Sequence, residues 1–311
     1  MTSTGKGGIM NVAKRERYKN NLYAGMHTLS IKCFYANEMM AGTDNVVKTC
    51  NKKKIRDKDQ HVYYLQLNPN KAVGSHTMIK TYSEFKAVLE QTLEKMGITS
   101  YKITRADFCF NSDDSEDYEL FKKMNKLLIC CIADSENIDN CYHAVDLWNN
   151  KSLSVAIKNN MIETENYDKD LQSKGTTETK NRLEFRSKRY VDSLEVEFQD
   201  VWFERLDKAC GHFETVQKRY NQELSRIWNE DVLRPARDRD YISVDAFLMA
   251  FKDCIFTRKQ LEELLAEMGV KNPAGKAKKF KDKHKIEFYT NKDLKEIIET
   301  LKKRSREYFK N

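Results

Sequence analysis

Two stretches of this 311-residue chain, ITRADFCF at 103–110 and NRLEFRSK at 181–188, alternate polar and apolar residues with a period of two, which fits a half-buried strand. Neighbouring side chains on a strand point to opposite faces. In the first stretch Arg105, Asp107 and Cys109 therefore share a face with Ile103, while Thr104, Ala106, Phe108 and Phe110 take the core side. In the second, Arg182, Glu184 and Arg186 share one face, and Leu183 and Phe185 take the other. Asp is disfavoured in mid-strand, so a carboxylate beside guanidinium on each of two strands calls for a reason. One reason is a set of salt bridges on a solvated sheet face, each worth about 0–1 kcal/mol. The other is chemistry: on neighbouring strands Asp107 and Glu184 would supply oxygen ligands to Mg2+ or Mn2+, with the arginines placed for a phosphate.

The rest of the chain supplies a sheet to hold them. MHTLSIKCF (26–34), HVYYLQLNP (61–69), SLSVAIKN (152–159) and MIETENYDK (161–169) read as further strands, with a polar loop containing NKKKIRDKDQ between the first two. Ser83 is placed to cap a helix striped by Phe85, Val88, Leu89, Leu93 and Met96 that stops at Gly97, and Leu120 to Cys131 marks a second helix. Strands and helices in this order predict an α+β fold, an antiparallel or mixed sheet with helices on one face.

Past residue 199 the pattern turns helical, as one long helix or two, until Pro235 breaks it. A short helix around Val244 to Phe251, a capping box of Thr257 and Gln260, a strand at IEFYT (286–290) and a last helix predict a helical C-terminal domain compatible with a winged helix-turn-helix. The expected divisions are a flexible basic N-terminus (1–25), an α+β domain (26–198), a helical connector (199–240) and a basic helical domain (241–311).

Charge and cysteines narrow the function classes. Residues 271–311 carry fourteen Lys and Arg against six Asp and Glu, whereas residues 1–270 hold 41 of each sign, so the whole excess of +8 sits in the tail. A cationic tail on a neutral body suggests a polyanion partner, nucleic acid first. No run of 18 apolar residues offers a membrane span, and the N-terminus lacks the apolar segment of a secretory signal, so a cytoplasmic protein is expected. None of the eight cysteines forms a C-x-x-C pair, which favours buried thiols over a zinc site.

TRADFCFN, then ENYDKDLQSK, then NRLEFRSKRY, in that order over about residues 25–200, resemble the trans-acting Rep-type replication initiators of small rolling-circle plasmids and related mobile elements of low-GC Gram-positive bacteria. The resemblance implies a DNA nicking-closing enzyme. It implies Asp107 and Glu184 as metal ligands for Mg2+ or Mn2+, Tyr190 as nucleophile, and Arg186 or Arg189 as phosphate clamp. A phenol with an ordinary pKa near 10 needs a neighbouring cation to attack phosphorus at neutral pH, a need that Lys188, Arg189 and a metal would meet. Tyr167 is the rival nucleophile, and His143 a candidate extra ligand, since the His-hydrophobe-His triplet of the broader nicking superfamily is missing. Arg105, Arg182 and Lys169, with Lys276, Lys278, Lys279 and Lys281 of the tail, are the expected DNA contacts. Origin DNA, single- and double-stranded, is the partner this implies, with a host helicase and a second copy of the chain as further candidates. The alternative from another class is a non-enzymatic origin-binding initiator or regulator that acts as a dimer and whose carboxylates are only salt-bridged.

Overall fold

The computed structural model describes residues 21–34, 47–54, 61–74, 78–114, 118–135, 154–158, 161–169, 179–230 and 242–311, with positions 233, 236 and 238 between the last two segments. Seven strands form one sheet: β1 (Leu22–Cys33), β2 (Val47–Lys54), β3 (His61–Leu67), β4 (Tyr101–Ser112), β5 (Ser154–Lys158), β6 (Ile162–Asp168) and β7 (Asn181–Ser187). Their spatial order is β2-β3-β1-β4-β7-β6-β5, and every pairing is antiparallel. The two charged strands, β4 and β7, are thus direct neighbours at the centre of the sheet.

β2 replaces part of the expected polar loop. Its sequence, VKTCNKKK, lacks the apolar alternation of a half-buried strand, and it lies at one edge of the sheet, where lysines discourage pairing with another chain. Helix α1 (Tyr82–Lys95) is capped two residues earlier than expected: Thr81, not Ser83, accepts the Glu84 N–H at 3.3 Å. Gly97, with φ of +66°, ends it as the sequence suggests.

Described residues fall into two compact units, one drawn from 21–121, 153–204 and 300–311, the other from 122–152 and 205–299. In the first, one sheet face is the core. Phe108 stacks on Phe198 and Phe309 at 5.0 and 5.6 Å between ring centroids, and Phe185 stacks on Trp202 at 4.8 Å. Helical residues therefore cover the face that carries Phe108 and Phe185, as the alternation requires. Phe198 and Trp202 come from a helical lead-in, Leu194–Val196 and a π-helical turn at Glu197–Val201, followed by α3 (Trp202–Gly211).

In the second unit, residues 122–135 of α2 (Tyr118–Ser135) accompany α4 (Phe213–Asn229), α5 (Val244–Ala250), α6 (Arg258–Glu267), α7 (Pro273–His284) and the first part of α8 (Asn291–Lys310). The long helical run is two helices, interrupted at His212 (φ −103°, ψ 0°). The capping box forms as expected at one end, with Thr257 Oγ1 accepting the Gln260 N–H at 3.0 Å, while Gln260 Oε1 takes the Phe256 N–H at 2.7 Å. Residues 286–290 are not a strand. Phe288 and Tyr289 are consecutive and both buried, which breaks period two, and Tyr289 N donates to Phe256 O at 2.9 Å. The wing of the expected winged helix-turn-helix is therefore not formed by this segment. Among the described residues, no helix is long and apolar enough to cross a membrane.

Candidate metal centre

The site begins with an irregularity in β1. Met26 pairs with Phe108 and Thr28 with Asp107, so His27 is an extra residue opposite no partner on β4. Such a bulge breaks the alternation and re-aims a side chain. Met26 keeps the core side with Phe108, and His27 turns onto the polar face, where its Nδ1 lies 3.4 Å from Glu184 Oε2. A second irregularity, between Ser30 and Ile31, moves Ile103 out of the expected row: it pairs with buried Ile31, not with the Arg105 face.

Across β4 and β7, Cys109 faces Glu184 and Asp107 faces Arg186, which sets the two carboxylates diagonally on one face. One donor atom each from His27, Asp107 and Glu184 falls within 4.8 Å of the others. Both carboxylates are almost wholly buried, at 1% and 0% exposure. Loss of water pushes the Asp107 carboxyl up to about 7, against the pull of Arg105. Burial also acts to raise Glu184, yet His27, Arg186 and Arg182 hold it well below the usual carboxylate range. Burial and the nearby Arg182 bring His27 down to about 4, so at neutral pH it is an uncharged imidazole with a lone pair to give. One imidazole nitrogen and two carboxylate oxygens form a donor set suited to Mn2+ or Mg2+, which would need further oxygens to complete the shell.

Arginines occupy the same oxygens. Arg105 forks onto Asp107 with Nε–Oδ1 at 2.7 Å and Nη2–Oδ2 at 2.6 Å. Arg186 donates through Nε to Glu184 Oε1 at 2.7 Å, lies 3.6 Å from Asp107, and reaches Glu163 and Glu165 on β6 with its other nitrogens. Lys188 also pairs with Glu163. Arg186 is thus held by four carboxylates, and the expected phosphate clamp is an internal counter-ion.

Other expected residues are placed as follows. Arg182 is buried and donates through Nε to Asn111 Oδ1 at 2.7 Å, which corrects its assignment to a DNA-facing surface. Lys169 is half-buried, and burial with Arg182 nearby lowers it to about 8. Arg189 does not join the cluster; its Nη2 lies 2.7 Å from Glu197, which also bonds Ser187, whose Oγ accepts from Trp202 Nε1 on the core side. Tyr190 is 60% exposed, with Lys102 Nζ 5.6 Å from its ring centre, and the next residue, Val191, bridges Ile103. The backbone of Tyr167 pairs with Arg182, and His143 lies outside the described residues.

In the tail, Lys276 is spent on Asp245 at 2.6 Å, together with Lys283 at 2.8 Å, whereas Lys278 and Lys279 are exposed. Lys281 lines a cleft of about 530 Å3 with Lys218, Arg258, Phe288 and Tyr289.

Sequence reasoning missed His27, Glu163 and Glu165. The signal for His27 was the tandem polar pair His27-Thr28 between Met26 and Leu29, two polar residues where alternation allows one. Glu163 and Glu165 were legible as a period-two pair in MIETENYDK. Comparison with family models, curated proteins and solved structures finds no match.

Proposed function

We propose that the protein is a replication initiator of a plasmid or mobile element that binds its origin in the cytoplasm and nicks one DNA strand with Tyr190, aided by Mn2+ or Mg2+. The observation that carries this reading is the convergence of His27, Asp107 and Glu184 within 4.8 Å on the central strands, joined to an exposed phenol beyond β7. The three residues would hold the ion, which would polarise the scissile phosphate. Tyr190 Oη bonds to phosphorus as the P–O3′ bond breaks; the phenol gives up its proton, and the freed 3′-oxygen takes one. The phosphodiester is exchanged for a phosphotyrosyl ester, so religation needs no added energy source. Ile103, which Val191 bridges, is four residues from Asp107, about 13 Å of strand. The reading therefore requires the Lys188–Tyr190 segment to bring the phenol toward the cluster.

The second reading, a non-enzymatic origin-binding initiator or regulator, is favoured by one observation: Arg105 already satisfies both Asp107 oxygens. A metal must displace that fork. The discriminating experiment is nicking of a supercoiled origin plasmid in Mn2+. Activity in wild type, abolished in Tyr190→Phe with origin binding retained, supports the enzyme. No nicking by wild type on its own origin supports the second reading.

A further inference from the structure

Further along the same sheet face, the register builds a row of rings and ammonium groups. Tyr64 on β3 faces Lys32 on β1, and Lys32 faces Lys102 on β4. Directly opposed residues share a face, and Lys32 lies four residues past Thr28, so the row is on the side that carries the metal centre. Lys102 Nζ lies 5.6 Å from the centre of the Tyr190 ring, and Lys53 Nζ on β2 lies 5.9 Å from that of Tyr64. From one end to the other the row reads Lys53, Tyr64, Lys32, Lys102, Tyr190.

Two features of the row point outward. Lys32 and Lys102 are like charges directly opposite on neighbouring strands, an arrangement that destabilises a sheet, and neither has a carboxylate partner among the described residues. Three strand spacings of about 4.8 Å separate Tyr64 from Tyr190, a span of roughly 14 Å that matches two to three stacked-out nucleotides. Aromatic rings interleaved with cations across a sheet face suit a single-stranded polynucleotide, because every base has a π-face and every link a negative charge.

We infer that a single strand of nucleic acid lies across this row, bases against Tyr64 and Tyr190, phosphates on Lys32 and Lys102. The inference deepens the nicking proposal and rests on it for its DNA substrate, but binding across the row needs no metal and no bond cleavage. The row stands about 13 Å from Thr28 along β1, so a strand seated across it must turn along β1 and β4 to reach the metal centre.

The test is fluorescence anisotropy of the full chain with a labelled oligothymidylate of about 15 nucleotides in EDTA. Tyr64→Ala is expected to weaken binding about tenfold, with Tyr64→Trp retaining it. The double variant Lys32→Gln/Lys102→Gln should weaken binding and lower its salt dependence by about two phosphate contacts. Lys102 is exposed and Lys32 half-buried, so this arm remains informative if Tyr64→Ala fails to fold. An oligouridylate of equal length in parallel shows which sugar the seat prefers, and binding of either supports it. Wild-type affinity in all these variants overturns the inference, as does equal loss for duplex and single strand, which would mark only a cationic surface. Loss of nicking with this binding intact would sink the catalytic reading alone; unchanged binding in the row variants with nicking intact would sink the row alone.

Discussion

His27 and Glu184 meet across an intervening strand: β4 separates β1 from β7, yet imidazole Nδ1 and carboxylate Oε2 stand 3.4 Å apart. The bulge makes this reach possible, and Glu184 is in turn anchored by Arg186 at 2.7 Å.

If that contact is half of a metal site, the protein binds Mn2+. Isothermal titration should find one ion in wild type, and His27→Ala, Asp107→Asn and Glu184→Gln should each weaken it by about tenfold or more. Arg105→Ala should strengthen binding, because it frees both Asp107 oxygens. Failure of wild type to bind Mn2+, with no gain in Arg105→Ala, would leave the cluster as a structural ion network.

Glu184 is fully buried among His27, Arg182 and Arg186. Glu184→Ala strands the positive charge of the two arginines, and unfolding in urea should show a loss of about 3–5 kcal/mol. Glu184→Gln, which keeps the shape and one acceptor, should lose less.

The pH dependence of folding carries two opposed contributions in metal-free protein. His27 has its pKa lowered from 6.5 to about 4, so the unfolded chain binds more protons between those values, and stability from this group rises with pH over that window. Asp107 is raised from 3.8 to about 7, so the folded chain binds more protons, and stability from this group falls as pH rises across that range. Relative to wild type, His27→Gln should therefore lose stability progressively as pH rises from about 4 to 6.5, and Asp107→Asn should gain it up to about 7. Chemical denaturation at several pH values in EDTA reads both slopes, and parallel curves for the three proteins would contradict them.

In the tail, Lys278 and Lys279 are exposed, whereas Lys276 is paired with Asp245. Lys278→Gln and Lys279→Gln should each lower the slope of log affinity for duplex DNA against log salt by about 0.9. Lys276→Gln should leave that slope nearly unchanged, and equal effects from all three lysines would show that Asp245 does not withhold Lys276.

Much of the sheet was legible from the alternation of its central strands; 103–110 and 181–187 lie in strands, adjacent, with Phe108 and Phe185 on the core side. What the alternation could not convey was where it breaks. The extra residue at His27 left a trace in its own strand, the polar pair His27-Thr28, but the shift that moves Ile103 is a property of pairing between strands. The lysine-rich β2 was read as loop because an edge strand needs no apolar face to persist. The carboxylate pair was found from Asp107 and Glu184, but the inward turn of Arg186 depends also on β6, whose Glu163 and Glu165 complete its counter-charge.

A single-codon deletion at position 27 would let Met26 and Thr28 follow each other in step with Phe108 and Asp107, leaving the rest of β1 in phase with β4. The imidazole is thus a removable insert in a scaffold that closes without it. One small indel at this position would add or remove the imidazole while leaving the flanking register of β1 and β4 as it is.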